Sequence, residues 1–155
     1  MPLSRIPAGA ARESFLALLL LADDSEQQVR SYMHSGDLYA FSSVDAAVAG
    51  IVLAIPLESD VVELKAVAVE TAQQGKGAGK RMLAAVLAEL RSQGCKRVIV
   101  GTANAAIGQL AFYQKAGFRL LRVERDFFTP ARGYPAVMVD NGIRLLDMVW
   151  MDQAL

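Results

Sequence analysis

The stretch AVAVETAQQGKGAGKRMLAAVLAEL, residues 66–90, joins an apolar strand-like run to a long helical pattern through three closely spaced glycines. No other segment limits the possible folds as much. A strand ending near Val69 and a helix starting near Gly77 must pack against each other, leaving the first-turn N–H groups of the helix pointing outward. Together with the helix dipole they form an anion cradle, and the ligand implied is a phosphate or pyrophosphate. Glycine suits such a turn because a Cβ would hold a phosphate away from the backbone. Lys76, Lys80 and Arg81 add mobile positive charge.

Two common phosphate-binding patterns fail here. The Walker pattern needs a glycine where Gln74 stands and Ser or Thr where Arg81 stands. The dinucleotide pattern G-x-G-x-x-G puts Lys80 at its third glycine when started at Gly75, and Met82 when started at Gly77. What remains is Q-x-x-G-x-G, filled by Gln74, Gly77 and Gly79. Taken alone, that pattern is equally a flexible loop before a surface helix.

The remaining elements follow from periodicity. ARESFLALLLLAD reads as one helix, and DDSEQQVRSYMHSG as a second with Asp24 or Ser25 as N-cap and Gly36 as its stop. DLYAFSS, AVAGIVLAI and VVELKAVAV read as three strands whose short links favour an antiparallel meander. Met82, Leu83, Val86, Leu87 and Leu90 recur at helical spacing, with Gly94 closing that helix. KRVIVGT is an apolar strand of the kind buried on both faces. A helix showing Ile107, Leu110, Ala111 and Gln114 stops at Gly117, and FRLLRVERDFF is another strand. AVMVDNGIRLLDMVW carries Asn141-Gly142 between apolar stretches, a hairpin signal, with Met148 and Trp150 packing the final strand. The fold class expected is a mixed α/β sandwich around one sheet, in a single domain spanning residues 1–155.

Composition removes several functions. Hydrophobic residues make up 54% of the chain and charged residues 21%, which excludes a disordered segment. Sixteen basic residues balance sixteen acidic ones, so no general attraction to nucleic acid or anionic lipid arises. Cys95 and His34 are each the only residue of their kind. They rule out an internal disulfide and a Cys/His zinc centre, and leave a triad hydrolase without supporting motif. His34 reads as an exposed residue near a helix end and Cys95 as half-buried. FLALLLLA is far short of the ~20 residues a membrane span needs. DDSEQQ follows it where a signal peptide would need a cleavage site. The expectation is a cytoplasmic protein with no metal.

The surroundings of the glycine loop carry a more specific signal. ELKAVAVETAQQGKGAGKRMLAAVLAEL, then GCKRVIVGT, then QLAFYQKAGFRL resembles the acetyl-CoA-binding core of the Gcn5-related N-acetyltransferases (GNAT), over Glu63 to about Leu121. The resemblance implies the family's fold: a mostly antiparallel central sheet with one splayed parallel strand pair, flanked by helices. It implies acetyl-CoA as cosubstrate and direct transfer of the acetyl group to a primary amine of a small molecule or peptide.

Family roles carry over position by position. The pyrophosphate loop matches Gln74 to Lys80, with the N–H groups of Gly75, Gly77, Gly79 and Lys80 as donors and Lys76 beside them. The pantetheine arm would pair like an added strand with Val67, Ala68 and Val69, and the Val67 N–H would polarise the thioester carbonyl. Tyr113, in FYQKAGF, falls where the family places a tyrosine near the sulfur. It is either a general acid or a core aromatic. Family members often have an asparagine seven residues earlier, where this chain has Ala106. The nearby Asn104 either contacts the pantetheine or caps the helix.

An alkyl ammonium, with pKa about 10.4, must lose a proton before it attacks. Glu63, eleven residues before Gln74, resembles a glutamate found at this offset in histone-modifying members. It acts as base, directly or through water, or pairs with Lys65 in solvent. Glu70, Asp37 and Asp126 are weaker substitutes. In the family the first helices and last hairpin shape the acceptor site, and here they carry Asp23, Asp24, Glu26, Asp37, Asp126, Asp140 and Asp147, suited to a cationic amine. Tyr32, Tyr39, Phe127, Phe128 and Tyr134 form an apolar wall or belong to the core. Two rival readings stand beside this one: a non-catalytic CoA-binding regulatory module, and a nucleotide-binding protein using the loop for ATP. A twofold homodimer is the general expectation for a soluble oligomer.

Overall fold

The computed structural model describes residues 2–155. A seven-stranded sheet runs through it in the order β1-β2-β3-β4-β5-β9-β6. Its strands are β1 (Leu3–Ile6), β2 (Asp37–Phe41), β3 (Gly50–Glu58), β4 (Val61–Val69), β5 (Arg97–Ala103), β6 (Arg119–Glu124) and β9 (Met148–Ala154). Every pairing is antiparallel except β4 with β5. The helices are α1 (Ala10–Glu13), α2 (Leu16–Ala22), α3 (Glu26–Tyr32), α4 (Ala78–Ser92) and α5 (Ile107–Lys115). No helix among the described residues is long and apolar enough to cross a membrane.

The sheet separates two apolar clusters. Met82, Leu83, Val86 and Leu90 of α4 pack with Tyr113 of α5 on one face. Leu18 and Leu19 of α2 pack with Val29, Tyr32 and Met33 on the other. The meander, the α4 stripe and the stops at Gly94 and Gly117 stand where the sequence puts them, whereas α3 ends at Tyr32, short of the expected stop at Gly36.

Three expectations need correction. ARESFLALLLLAD is two short helices, broken at Ser14-Phe15. Arg12 turns inward at the break, and its guanidinium donates to the carbonyls of Ile6, Met33, Ser35 and Gly36. Three of these acceptors, on Met33, Ser35 and Gly36, lie past the end of α3, where helix carbonyls lack partners and favour a cation, and Ile6 ends β1. On α5, Ile107, Ala111 and Gln114 face solvent while Tyr113 is the buried side chain. The last hairpin does not close the main sheet. Asn141 and Gly142 do form its turn, both with positive φ, but β7 (Val139–Asp140) and β8 (Ile143–Arg144) make a separate ribbon. The chain then re-enters the sheet as β9, between β5 and β6.

One irregularity in β4 shapes everything beyond it. Leu53 pairs with Ala66 while Ala54 pairs with Leu64, so Lys65 is an extra residue in the ladder. Such a bulge bends its strand and increases its twist. Val62 and Leu64 therefore lie in the α4 cluster, whereas Ala66 and Ala68 lie in the α2–α3 cluster. The parallel pairing with β5 ends at this point, at Leu64 and Val100. From there the two strands diverge.

Candidate active site

The divergence of β4 and β5 opens a slot. Glu70 N–H donates to the Ala49 carbonyl, so the alternation of an antiparallel ladder turns the main-chain groups of Ala66 and Ala68 toward β3. Those of Val67 and Val69 point the other way, into the slot where β5 no longer pairs. Of the three residues expected to hold an extended ligand arm, Val67 and Val69 thus offer main-chain groups, and Ala68 spends its own on β3. The Val69 carbonyl already accepts from Gln74 Nε2 at 3.1 Å. Gln74 in this way ties the start of the loop to the end of β4.

The loop itself is held from beneath. Gln73, buried, accepts from the Ser43 hydroxyl at 3.2 Å. Arg81 Nη1 donates to the Lys76 carbonyl at 3.1 Å, and Lys76 Nζ lies 3.9 Å from Asp45. Among the described residues, no protein acceptor stands in ordinary hydrogen-bond geometry to the N–H groups of Gly75, Lys76, Gly77, Gly79 or Lys80. These amides are open to a ligand.

The glycines differ in purpose. Gly75 and Gly77 have φ of 76° and 77°, a left-handed conformation that side chains resist. Gly77 is the N-cap of α4. At Gly79 an added Cβ would touch Val69 Cγ2 at 3.4 Å and the Phe112 ring at 3.5 Å, so this glycine faces protein and seats the helix on β4. The single role the sequence suggested for all three divides in two.

The slot opens into a cavity of about 340 Å³ whose walls include Glu63, Val67 and Tyr113. Glu63, 15% exposed, sits 3.9 Å from Lys65 Nζ. Burial pushes its carboxyl above the ordinary carboxylate range, with Lys65 pulling weakly the other way. Lys65 in turn lies over the Tyr32 ring, 5.1 Å from its centroid. Tyr113 is 4% exposed, packed edge-on between Phe112 and Phe118. Burial raises its phenol far above the usual value, so the group is a neutral proton donor near pH 7. A carboxyl whose pKa burial raises and a protonated phenol line the same space.

Asn104 is committed elsewhere. Its Oδ1 accepts from the N–H groups of Leu146 and Asp147, and its Nδ2 donates to the Arg144 carbonyl. It does not cap α5, whose N-cap is Ala106, and of its amide one Nδ2 hydrogen is without a protein acceptor among the described residues. It fastens the chain between β8 and β9.

Asp23, named in the sequence as one acid among several, is the centre of a cluster that sequence reasoning did not find. Its carboxylate accepts from the Tyr32 and Tyr134 hydroxyls at 2.8 and 2.9 Å and from the Ser25 N–H at 3.2 Å. Ser25 caps α3 by accepting from the Gln28 N–H. Tyr134 also stacks edge-on with Phe128. No local pattern announces this cluster, because its members lie on α3, the α2–α3 link and a loop far along the chain. Asp37 pairs with Arg5, and Asp147 accepts from the Asp126 N–H, so these acids serve the scaffold.

The same architecture occurs in known proteins. The profile of the acetyltransferase (GNAT) family matches residues 11–118. YvbK, an uncharacterized N-acetyltransferase of Bacillus subtilis (strain 168), is 36% identical over 132 residues, spanning 85% of this chain and 83% of its own. An IAA acetyltransferase from Bacillus cereus ATCC 14579 superposes with a TM-score of 0.86 at 33% identity, covering 99% of this chain and 98% of the other. A GNAT family acetyltransferase from Elizabethkingia anophelis with acetyl-CoA bound, 31% identical, has the same TM-score and coverage of 99% on both sides.

Proposed function

The chain belongs to the GNAT family and is an acetyl-CoA-dependent N-acetyltransferase, and from that premise we propose that it acetylates a primary amine of a small molecule or peptide by direct transfer, with Glu63 as base and Tyr113 as acid. The observation that carries this reading is the run of free main-chain groups along one unit. Val67 opens into the slot, and the amides from Gly75 to Lys80 stand uncovered where α4 begins.

Each residue has a defined task. The loop amides, with Lys76 and Lys80 beside them, hold a diphosphate at the helix N-terminus. Val67 and Val69 pair with the amide-bearing arm as a neighbouring strand would. Acetyl-CoA supplies an acyl carbon activated by its thioester. The Val67 N–H donates to the acyl oxygen and stabilises charge that develops there. Glu63 takes a proton from the incoming ammonium, directly or through water, freeing the nitrogen lone pair that forms the new C–N bond. The C–S bond breaks, Tyr113 gives its proton to the departing sulfur, and the second proton that the nitrogen loses on becoming an amide returns to the phenolate. No covalent enzyme intermediate is required. The whole chain, 1–155, acts as one domain in this reading, in the cytoplasm, and a twofold dimer is compatible with it.

The test is release of free thiol from acetyl-CoA over a panel of amines, with Tyr113→Phe alongside. Turnover that falls about 10²-fold in the variant, at unchanged acetyl-CoA affinity, supports the acid role. Tight acetyl-CoA binding with no thiol released by any amine would favour the regulatory module instead.

A further inference from the structure

The cavity wall built by the α2–α3 link and the β7–β8 ribbon carries more negative charge than proton removal from one amine requires. Asp23, Asp24 and Asp140 line it, Glu63 lines the same space, and Lys65 is the one ammonium or guanidinium among the lining side chains. Asp23 is saturated by its three donors. Asp24 is not. The exposed Asp24 carboxyl is pushed up by its partial loss of solvent and by the charges of Asp23 and of the equally exposed Asp140, and no positive group offsets them. Among the described residues, these acids do not converge as a metal-ligand set.

One further observation points to an organic cation, and a second marks where its reacting end comes. Phe127, Phe128 and Tyr134 form an edge-on aromatic group beside the acids, with ring centroids 5.1 and 5.0 Å apart along the chain of contacts. Arg132 already lies over Phe127 at 4.2 Å, so this group accommodates a planar cation on one side. The second is Tyr113, 4% exposed, which borders the cavity and whose hydroxyl makes no hydrogen bond to protein among the described residues. It marks where the reacting end of a ligand must come.

We propose that the acceptor is an amine carrying a second positive charge, as in a diamine or polyamine, whose remote cation is received by Asp24 and Asp140 beside the rings of Phe128 and Tyr134. The inference rests on the reading of this cavity as the acceptor site. A single ammonium that gives up its proton to Glu63 leaves the other carboxylates repelling one another. A second, retained charge cancels that repulsion and holds the reacting nitrogen in place. An amine with a carboxylate tail meets the opposite field and is disfavoured.

Three probes of similar length separate the possibilities: 1,4-diaminobutane, n-butylamine and 4-aminobutanoate. Each is titrated calorimetrically into CoA-loaded protein and assayed for thiol release with acetyl-CoA at low salt. The diamine is expected to bind tighter than n-butylamine, and to exceed it in kcat/KM, by about tenfold or more, with 4-aminobutanoate last. The diamine-to-monoamine ratio should shrink to about twofold in the Asp24→Asn, Asp140→Asn double variant. Should that variant fail to fold, the same ratio in the unmodified protein must fall as sodium chloride screens the charges. Equal binding of diamine and monoamine, or a ratio indifferent to salt and to both substitutions, overturns the inference. Thiol release confined to monoamines or to amines with acidic tails overturns it too, and leaves the transferase reading intact. Preferential diamine binding without any thiol release supports the dication site and overturns the roles assigned to Glu63 and Tyr113.

Discussion

Tyr134 donates its hydroxyl to Asp23 across 111 residues of chain, at 2.9 Å, on the oxygen not used by Tyr32. One carboxylate thereby ties the loop after β6 to the junction of α2 and α3, and the three side chains close one wall of the cavity. Burial and the Asp23 charge hold both phenols well above their ordinary pKa, so they remain donors throughout the working pH range. Tyr134→Phe should cost about 1–2 kcal/mol of stability. It should raise KM for the amine while acetyl-CoA affinity stays within about twofold. Thermal melting and calorimetric titration check both, and an unchanged melting temperature would place the wall's cohesion elsewhere.

Glu63 links activity to stability with opposite signs. Burial raises its carboxyl in the folded state, so the folded protein binds a proton there more readily than the unfolded chain. Stability contributed by this group is therefore greatest at low pH and declines as pH rises through the raised value. In the proposed base role Glu63 needs its ionised form, so turnover declines as pH falls through that value. Glu63→Gln should remove the acid limb of the pH–rate profile and slow turnover, while raising the melting temperature above neutral pH. A melting temperature that drops at pH 8 would contradict the burial argument, and an unaltered pH–rate profile would remove Glu63 from the mechanism.

The two kinds of glycine in the loop make separable predictions. Gly77→Ala forces a side chain into a left-handed conformation, at a cost of about 1–2 kcal/mol, and sets a Cβ 3.1 Å from Arg81 Nη1. It should weaken acetyl-CoA binding and lower the melting temperature. Gly79→Ala meets Val69 and Phe112 at ordinary contact distance and gains helix propensity of about 1 kcal/mol. Its melting temperature should hold or rise. If the two variants melt alike, the division drawn between the glycines is wrong.

Asn104 should behave as an anchor. Asn104→Ala leaves the N–H groups of Leu146 and Asp147 without their acceptor, so limited proteolysis between residues 138 and 147 should accelerate. The amine's KM should rise severalfold as Asp140 and Leu145 lose their support. A selective loss of acetyl-CoA affinity, without faster proteolysis, would instead assign it to the cofactor arm.

The strand–loop–helix unit proposed to hold the cofactor was legible because it is local. Strand, loop and helix are consecutive between Val61 and Ser92, and the left-handed turn at Gly77 is written in the residues that form it. The same holds for the Ser25 cap and for the turn at Asn141-Gly142. Where the reading went astray, a distant partner decided. The first helix breaks where Arg12 meets carbonyls beyond α3. The α5 face is set by Tyr113 entering the core of the sheet, against an apolar stripe that pointed elsewhere.

From residue order alone came the strand–glycine–helix unit, the meander and the chemistry of an anion-binding turn, since backbone conformation and hydrophobic period depend on near neighbours. The tertiary structure alone decided that Lys65 bulges out of β4 and splits it from β5. It also decided that Asp23 collects hydroxyls from α3 and the far loop, and that β9 enters between β5 and β6. Those outcomes depend on which surfaces meet after folding, and contacts between residues a hundred positions apart leave no periodic trace in the chain that makes them.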